Sequence, residues 1–176
     1  MILLGLGSNL NSTLGDRLYN INLAISYLDS YEIKLIKKSS FYETPSYPNK
    51  EHPKFINVVI EVSTHLDPVN LASVLIFVEE KLERKRKIRN DPRTCDIDII
   101  DFHGKSMDFK YKNLDFTVPH KQLSYRNFVL FPLKEISPDW KHPKTDESID
   151  KLIYKLSNED KNSILIIKNL DIIDWC

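Results

Sequence analysis

The sequence predicts an α+β fold built on a βαββαβ core. Four segments carry the alternating or short continuous apolar runs of strands, and two segments between them carry apolar residues at helical spacing. The chain has 176 residues, of which 41% are hydrophobic and 28% charged, and a chain of this size buries a core without disulfide bonds. We therefore expect a single domain over residues 1–176, with a core of about 2–140 and a tail of about 141–176.

The first half of the core alternates strand, helix and strand. Residues 2–6 form a short apolar run that predicts the first strand. From Leu18 onward, apolar residues at positions 18, 21, 25 and 28 predict a helix. A second strand is expected over residues 33–42, which begin with β-branched and end with aromatic residues. Three prolines within residues 43–54 predict a structured loop without a regular ladder.

The second half of the core repeats this order. Phe55–Ser63 alternates as a strand. Asp67 is a suitable N-cap, and Pro68 suits the first helical position, so we expect a helix that runs to residue 83. A fourth strand over Cys95–Phe102 completes the order βαββαβ, which is the ferredoxin-like unit.

The residues that follow predict a C-terminal extension of this unit. A further hairpin is expected over residues 103–116 and a loop over 117–125. Residues 128–136 fit either a short helix or a strand, and that alternative stays open at this point. A helix is expected over 148–156 and a last strand over 163–168.

The formal net charge is zero, because Lys plus Arg and Asp plus Glu each number 25. This balance argues against a general nucleic-acid partner. No apolar run approaches the ~20 residues of a membrane span, and the N-terminus lacks the basic start of a secretory signal. We therefore expect a cytoplasmic protein with no membrane partner. Cys95 and Cys176 make neither a disulfide framework nor a CxxC site.

Two aspartates in the fourth strand are candidate metal ligands. Asp96 and Asp98 are two positions apart, so both side chains project from one face, while Cys95, Ile97 and Ile99 pack on the other. Two carboxylates about 6.6 Å apart along a strand can share a pair of Mg²⁺ ions. The alternative is an ordinary solvated strand face with charges at alternate positions.

A basic run stands directly before this strand. Residues 84–89 place five bases in six positions, and Arg84, Arg86 and Arg89 suit charge-assisted contacts with phosphate oxygens. The alternative is a solvated helix end, where bases suit the dipole. Glu79, on the rim of the preceding helix, is either a buried hydrogen-bond acceptor or an ordinary surface acid.

Aromatic and amide residues around the proline-rich loop form a second constellation. Thr44 and Pro45 open the loop, Phe55 and Asn57 follow it on one face of a strand, and Phe128 comes later. A flat heterocycle can stack between two aromatic rings while an amide reads its edge. The alternative is that both phenylalanines are plain core residues.

Taken together, these segments resemble the 6-hydroxymethyl-7,8-dihydropterin pyrophosphokinase family. The most specific stretch is Pro92-Arg93-Thr94-Cys95-Asp96-Ile97-Asp98, and the resemblance covers residues 2 to about 140. The other matching stretches occur in the family's order: Gly5–Leu10, Ser39–Pro45, Phe55–Asn57, Val118–His120 and Arg126–Leu130.

The resemblance implies transfer of pyrophosphate from ATP to the hydroxymethyl oxygen of the pterin, with two Mg²⁺ ions. ATP and the pterin are the small-molecule partners that it implies, and we expect a monomer. Asp96 and Asp98 would hold both metals. The resemblance assigns the remaining positions to phosphates and closing loops (Arg84, Arg86, Arg89 and Arg93), to the nucleotide (Glu79, His120 and Arg126) and to the pterin (Thr44, Pro45, Tyr47 through its backbone, Phe55, Asn57 and Phe128).

The chain departs from the family pattern in the basic segment. Glu83 stands where a glycine is usual before the first arginine, and Asn90-Asp91 stand where many members have Trp-Gly. The loops at 43–54 and 83–92 are candidates for lids that close over the substrates.

Two readings from other classes remain open at this stage. An RNA recognition motif shares the βαββαβ order, but the strand at Phe55 lacks its characteristic glycine, and the two aspartates would repel a phosphate backbone. A ligand-sensing or purely structural domain would leave the aspartate pair solvated. Metal-dependent ATP binding separates both from an enzyme.

Overall fold

The computed structural model describes residues 1–47, 49–85 and 91–167. The elements are β1 (Ile2–Ser8), α1 (Arg17–Ser30), β2 (Lys34–Lys38), β3 (Tyr42–Thr44), β4 (Phe55–Ser63), α2 (Pro68–Lys81), β5 (Asp96–Phe102), β6 (Met107–Tyr111), β7 (Leu114–Val118), a 3₁₀ turn (Leu123–Tyr125), α3 (Asn127–Ile136), α4 (Ile149–Lys155), α5 (Asn158–Asn162) and β8 (Leu165–Ile166).

The main sheet has six strands, all paired antiparallel, in the order β5-β1-β4-β3-β8, with β2 beside β3 on the same edge of β4. A separate hairpin pairs β6 with β7.

The α+β class is confirmed, and both core helices begin at capping residues visible in the sequence. Asp16 accepts a hydrogen bond from the backbone N–H of Tyr19, which caps α1. Asp67 caps α2 in the same way, and Pro68 occupies the first turn, where its missing N–H costs nothing. Residues 128–136, which fitted a helix or a strand, belong to α3.

The second predicted strand is interrupted, contrary to the expectation of one strand over 33–42. β2 and β3 both pair with β4, but residues 39–41 leave the ladder. The Ser39 hydroxyl accepts the Val59 N–H, and Glu135 of α3 accepts hydrogen bonds from the Ser40 N–H at 2.8 Å and the Tyr42 hydroxyl at 2.7 Å. Side chains therefore supply much of the hydrogen bonding at the break, beside one backbone bond from the Ser39 N–H to the Val59 carbonyl at 3.0 Å.

The main sheet separates two hydrophobic cores, so β4 is buried on both faces. Val58 and Ile60 pack into the core that includes residues of α1 and α2, whereas Val59 packs into the core that includes residues of α3 and α4. Cys95 is fully buried in the first core, and Cys176 lies outside the described residues. None of the helices within the described ranges has the length and hydrophobicity needed to cross a bilayer.

A buried hydrogen bond ties the segment after α3 to the sheet. Asp101 of β5 is 1% exposed and accepts the indole N–H of Trp140 at 2.8 Å. Its other oxygen accepts the Gly104 N–H at 2.7 Å. Both oxygens of this buried carboxylate are therefore satisfied by named donors.

Replacing Trp140 by phenylalanine tests this tie. Trp140→Phe keeps an aromatic ring but removes the N–H, so one buried oxygen of Asp101 loses its donor, and the free energy of unfolding should fall by about 2 kcal/mol. Urea denaturation measures the change. Tyr154→Phe, which removes a hydroxyl from an exposed side chain, is the control and should leave stability within about 0.5 kcal/mol of the parent.

Candidate active site

A cavity of about 720 Å³ opens over one face of the sheet, beside the N-terminus of α3. Its lining combines the residues that the sequence assigned to the metal constellation with those of the aromatic and amide constellation. The predicted residues that it gathers are Thr44, Pro45, Tyr47, Phe55, Asn57, Arg93, Asp96, Asp98, His120, Arg126 and Phe128.

The two carboxylates face this cavity because the opposite face of β5 is committed to the core. Cys95, Ile97 and Ile99 are buried in the first core, so the alternation of the strand turns Asp96 and Asp98 the other way. The sequence predicted this division of the strand, and the structure confirms it.

Glycines on the neighbouring strand keep the space beside the carboxylates open. On β1, Gly5 is paired with Asp98 and Gly7 with Asp96. On its other side Gly7 is paired with Asn57 of β4. Adjacent strands are about 4.8 Å apart, so Asp96 and Asn57 are separated by about 10 Å across a position without a side chain. A Cβ atom added to Gly7 would lie 3.1 Å from the Asn57 side-chain oxygen.

Arginines surround the carboxylates. Arg84 contacts both Glu79 and one oxygen of Asp96, while Arg93 Nη1 contacts the other oxygen of Asp96 at 2.6 Å. Arg126 Nη1 lies 3.4 Å from Asp98. The Asp96 carboxylate is therefore held between two guanidinium groups.

The carboxylate of Asp98 lies close to the negative charge of Asp96. Protein atoms crowd its carboxylate, which still faces the cavity with 44% of its side chain exposed. This crowding and the charge of Asp96 raise the pKa of Asp98 to about 6, although the charge of Arg126 opposes the rise. A cation placed between the two carboxylates would relieve the repulsion.

Glu79 is a buried acceptor rather than a surface acid. It is 2% exposed, and its Oε1 accepts the backbone N–H of Ile97 at 2.7 Å and contacts Arg84. Arg84 is itself buried, with 9% of its side chain exposed. The end of α2 is thereby fixed to β5 beside Asp96.

The aromatic and amide constellation lies at the other end of the cavity. Asn57 Nδ2 donates to the Thr44 hydroxyl at 3.0 Å, which fixes the orientation of the amide. The guanidinium of Arg93 lies 5.5 Å from the centre of the Phe55 ring, and that of Arg126 lies 5.4 Å from the centre of the Phe128 ring. Each ring therefore borders an arginine that also contacts a carboxylate.

Tyr47 and His120 lie at the margins of the cavity. Tyr47 is 84% exposed. The Nδ1 atom of His120 accepts the backbone N–H of Gln122 at 3.0 Å. Burial and the nearby positive charge of Arg126 lower the pKa of His120 to about 4, so the ring is neutral at physiological pH.

A smaller pocket of about 180 Å³ borders the carboxylates on the side of α2 and β7. It shares Asp96, Asp98 and His120 with the large cavity, and Glu79 also lines it. Apolar residues supply much of the remaining wall: Leu75, Ile76, Ile97, Ile99, Leu114, Phe116 and Val118.

Sequence reasoning missed Asn9 as a residue that organises the site. Asn9 is 2% exposed, and its Nδ2 donates to the Ser46 hydroxyl and to the Pro53 carbonyl, both at 3.1 Å. Its Oδ1 accepts the backbone N–H of Arg93 at 2.7 Å. One amide thus joins the proline-rich loop to the segment that precedes β5. An asparagine directly after a strand that ends in glycine and serine was the available signal.

The C-terminal segment also contributes to the cavity, which the sequence did not indicate. Asp160 and Ser163 line it, and Asn127 Nδ2 donates to the Asp160 carbonyl at 2.6 Å and to the Ser163 hydroxyl at 3.1 Å. Arg86 and Arg89, which the sequence placed among the phosphate contacts, lie outside the described residues.

The donor set at the carboxylates fits Mg²⁺. Among the residues that the structure describes, no group of three or more His, Cys, Asp or Glu side chains converges as a metal cage. Mg²⁺ usually takes one or two carboxylates and completes its shell with water and phosphate oxygens, so Asp96 and Asp98 offer what it needs. Carboxylates ringed by arginines are the chemistry of a protein that handles metal-bound phosphates.

Comparisons with known proteins agree with this class. A family model described as 7,8-dihydro-6-hydroxymethylpterin-pyrophosphokinase (HPPK) matches residues 3–138. A 2-amino-4-hydroxy-6-hydroxymethyldihydropteridine pyrophosphokinase of Synechocystis is 34% identical over 152 residues, which cover 86% of this chain and 74% of the relative. The pyrophosphokinase of the same name from Bacillus subtilis is 32% identical over 143 residues, or 81% of this chain and 83% of the relative. The chain therefore belongs to the HPPK family.

Other relatives are much longer proteins. The folic acid synthesis protein fol1 of Schizosaccharomyces pombe is 34% identical over 149 residues, and the matched part is 84% of this chain but 20% of fol1. A crystal structure of Plasmodium falciparum HPPK-DHPS with pteroate superposes with a TM-score of 0.71 at 17% identity, covering 88% of this chain and 44% of that one. At this identity the superposition supports the fold alone.

Removing Arg84 tests the buried ion pair. Arg84→Met removes a buried guanidinium that balances the charge of Glu79, so the free energy of unfolding should fall by about 3 kcal/mol. Adding Glu79→Gln to that variant removes the carboxylate charge that Arg84 had balanced and should recover part of the loss. Urea denaturation of the single and double variants measures both effects. A double variant less stable than Arg84→Met would contradict this account.

His120 should titrate far below an ordinary histidine. Because its folded pKa of about 4 lies below the unfolded value of about 6.5, neutral His120 favours folding above pH 6.5. That contribution is lost as pH falls from about 6.5 to 4. NMR titration of the metal-free protein should give the His120 ring a midpoint near pH 4, and His120→Gln should lose less stability than the parent over this interval. A midpoint near pH 6.5 would be the opposite result.

Proposed function

We propose that this chain is a pyrophosphokinase that transfers the terminal pyrophosphoryl group of ATP to the hydroxymethyl oxygen of 6-hydroxymethyl-7,8-dihydropterin, releasing AMP, in folate biosynthesis. One observation carries the proposal. A single cavity joins a carboxylate and arginine cluster to a pair of aromatic rings with a fixed amide, and Gly7 keeps the passage between them open.

The aromatic end of the cavity suits the pterin. Phe55 and Phe128 border it with ring faces, and a flat bicyclic heterocycle gains stacking and burial between such rings. Asn57 is held by Thr44, so its free carbonyl oxygen can accept from the amino edge of the ring. Pro45 and the backbone at Tyr47 would complete the wall.

The charged end suits the triphosphate. Arg84, Arg93 and Arg126 already contact the two aspartates. Arginine also binds phosphate oxygens through paired N–H groups, so these three are the residues that would receive the phosphates. Arg86 and Arg89 would add to them from the basic segment.

The smaller pocket suits the base and ribose of ATP. Its apolar wall can cover the adenine, and Glu79 and the neutral His120 line the side nearest the carboxylates. Because Nδ1 of neutral His120 accepts the Gln122 N–H, Nε2 carries the ring proton and can donate a hydrogen bond without adding a charge that depends on pH near neutrality.

Asp96 and Asp98 are the residues that would hold two Mg²⁺ ions. When bound, these ions neutralise charge on the phosphate oxygens and orient the group that is transferred. The protein then has mainly to position the reactants and stabilise charge, which is the usual basis of phosphoryl-transfer catalysis.

The bond changes of the reaction are simple. The hydroxymethyl oxygen of the pterin attacks the β-phosphorus of ATP in line, so a new oxygen–phosphorus bond forms. The bond from the β-phosphorus to the oxygen that bridges to the α-phosphate breaks, and AMP leaves with that oxygen. The hydroxyl proton passes to solvent water, and the arginines stabilise the charge that develops on the leaving phosphate.

We also infer the finer architecture of the enzyme. The order β5-β1-β4-β2 with two helices between the strands supports a ferredoxin-like unit, to which the hairpin β6-β7 and α3–α5 add an extension. Asp160 and Ser163 of the tail line the cavity, so the tail helps to form the site. This supports a single domain that includes the tail. We propose that this domain acts as a monomer.

Incubation with ATP, Mg²⁺ and 6-hydroxymethyl-7,8-dihydropterin tests the proposal. AMP should form only when the pterin and the metal are both present, and chromatography of the nucleotides measures it. Asp96→Ala/Asp98→Ala should reduce turnover at least about 1,000-fold, because loss of electrostatic stabilisation at one donor alone costs about 100- to 1,000-fold.

A control variant and a measurement of substrate binding make the result decisive. Asp139→Ala, which removes an exposed acid outside the cavity, is the matched control and should retain full turnover. A folded protein that binds the pterin but makes no AMP would indicate a sensing relative rather than an enzyme. A folded protein that binds neither substrate would refute the proposed activity.

A further inference from the structure

The end of α2 has an unusual residue at its left-handed position. The Glu83 N–H donates to the Glu80 carbonyl and the Arg84 N–H donates to the Glu79 carbonyl, both at 3.0 Å, which is the hydrogen-bond pattern of a Schellman turn. Glu83 has φ +64°, a conformation that glycine adopts without the steric cost that a side chain brings. A glutamate at this position therefore bears a steric cost that glycine would not.

The Glu83 side chain makes a contact far away in sequence. Its Oε2 accepts the backbone N–H of Thr13 at 2.9 Å, and its Oε1 accepts the Thr13 hydroxyl. These two hydrogen bonds lower the pKa of Glu83, so the carboxylate is charged at neutral pH. The contact joins the start of the basic segment to the loop between β1 and α1.

The loop that receives this contact is itself well fixed. The Ser12 hydroxyl accepts the N–H groups of Leu14 and Gly15 at 3.1 and 3.3 Å, and it donates to Asn20 at 2.7 Å. Asn20 lies in α1 and is fully buried. Glu83 is therefore held by a turn that cannot move without disturbing the core helix.

The side chain of the next residue, Arg84, contacts a different part of the molecule. Arg84 is buried against Glu79 and Asp96, behind the carboxylate of Asp96 that lines the cavity. Glu83, whose side chain is anchored at Thr13, and Arg84, which carries this guanidinium, are consecutive in the chain. The position of Glu83 therefore limits where the Arg84 side chain can begin.

We propose that Glu83 is a positioning residue that, through its contact with Thr13, holds Arg84 in the place where it meets the phosphates of ATP. The proposal rests on the proposed function, because it assigns a role in binding ATP. Without the Glu83–Thr13 contact, the turn samples other arrangements, and a smaller fraction of the protein is ready to bind. The apparent affinity for ATP then falls by that fraction, while turnover at saturation is unchanged.

A second helix end supplies a matched control. Glu32 follows α1 with φ 60°, and the same pair of hydrogen bonds surrounds it, from Glu32 N–H to Asp29 and from Ile33 N–H to Leu28. Among the described residues Glu32 makes no side-chain hydrogen bond or ion pair. Glu32→Gln therefore makes the same chemical change at the same backbone conformation, away from the cavity.

The test compares Glu83→Gln, Thr13→Val, the double variant and Glu32→Gln. The KM for ATP should rise about fivefold in Glu83→Gln, as expected for loss of a charged hydrogen-bond acceptor, with kcat within about twofold and the KM for the pterin unchanged. Thr13→Val should raise the KM for ATP in the same direction. The double variant should be no worse than Glu83→Gln, because both changes break one contact. Glu32→Gln should match the parent.

Two further measurements keep the outcomes distinct. Amide hydrogen exchange of Thr13 should be faster in Glu83→Gln than in the parent, and unchanged exchange would refute the contact itself. Faster exchange with an unchanged KM for ATP, or additive effects in the double variant, would refute the positioning role. If the parent makes no AMP, the proposed function fails, and calorimetry of Mg–ATP binding then decides: weaker binding in Glu83→Gln supports the positioning role and equal binding refutes it.

Discussion

The site depends on the absence of a side chain at Gly7. Asp96, Gly7 and Asn57 lie side by side on β5, β1 and β4, so a side chain on the middle strand would fill the space between the carboxylate and the amide. Strand pairing fixes this row, since a shift by one residue would turn every side chain to the other face. Because β1 and β4 are buried in both cores, their register is fixed. This register places Gly7 between Asp96 and Asn57, so the cavity stays continuous.

Charge in the site is balanced locally rather than across the whole chain. The net charge is zero, yet three arginines gather around two aspartates and a buried glutamate. Each of these three guanidinium groups also borders either an aromatic ring or the buried end of α2. The arginines are thus preorganised at the cost of their own conformational entropy, which is paid on folding instead of on binding.

Local signals predicted most of the fold, and contacts between distant residues account for what they missed. The N-caps Asp16 and Asp67 mark the two core helices, and alternation in β5 turns Asp96 and Asp98 away from the core, as expected. The break between β2 and β3 depends on Glu135, which lies 95 residues from Ser40. The roles of Asn9 and the tail likewise depend on partners that no local pattern reveals, so they were not predicted.

The hydrogen bonds of Asn9 bear on how this chain can change over evolutionary time. Asn9 reaches Arg93 through a backbone N–H and Pro53 through a backbone carbonyl, and only at Ser46 does it contact a side chain. Backbone groups are the same for nearly every residue type. The side chains at positions 53 and 93 therefore do not affect these two hydrogen bonds, whereas position 9 itself has almost no freedom, because few side chains both donate twice and accept once in so small a volume.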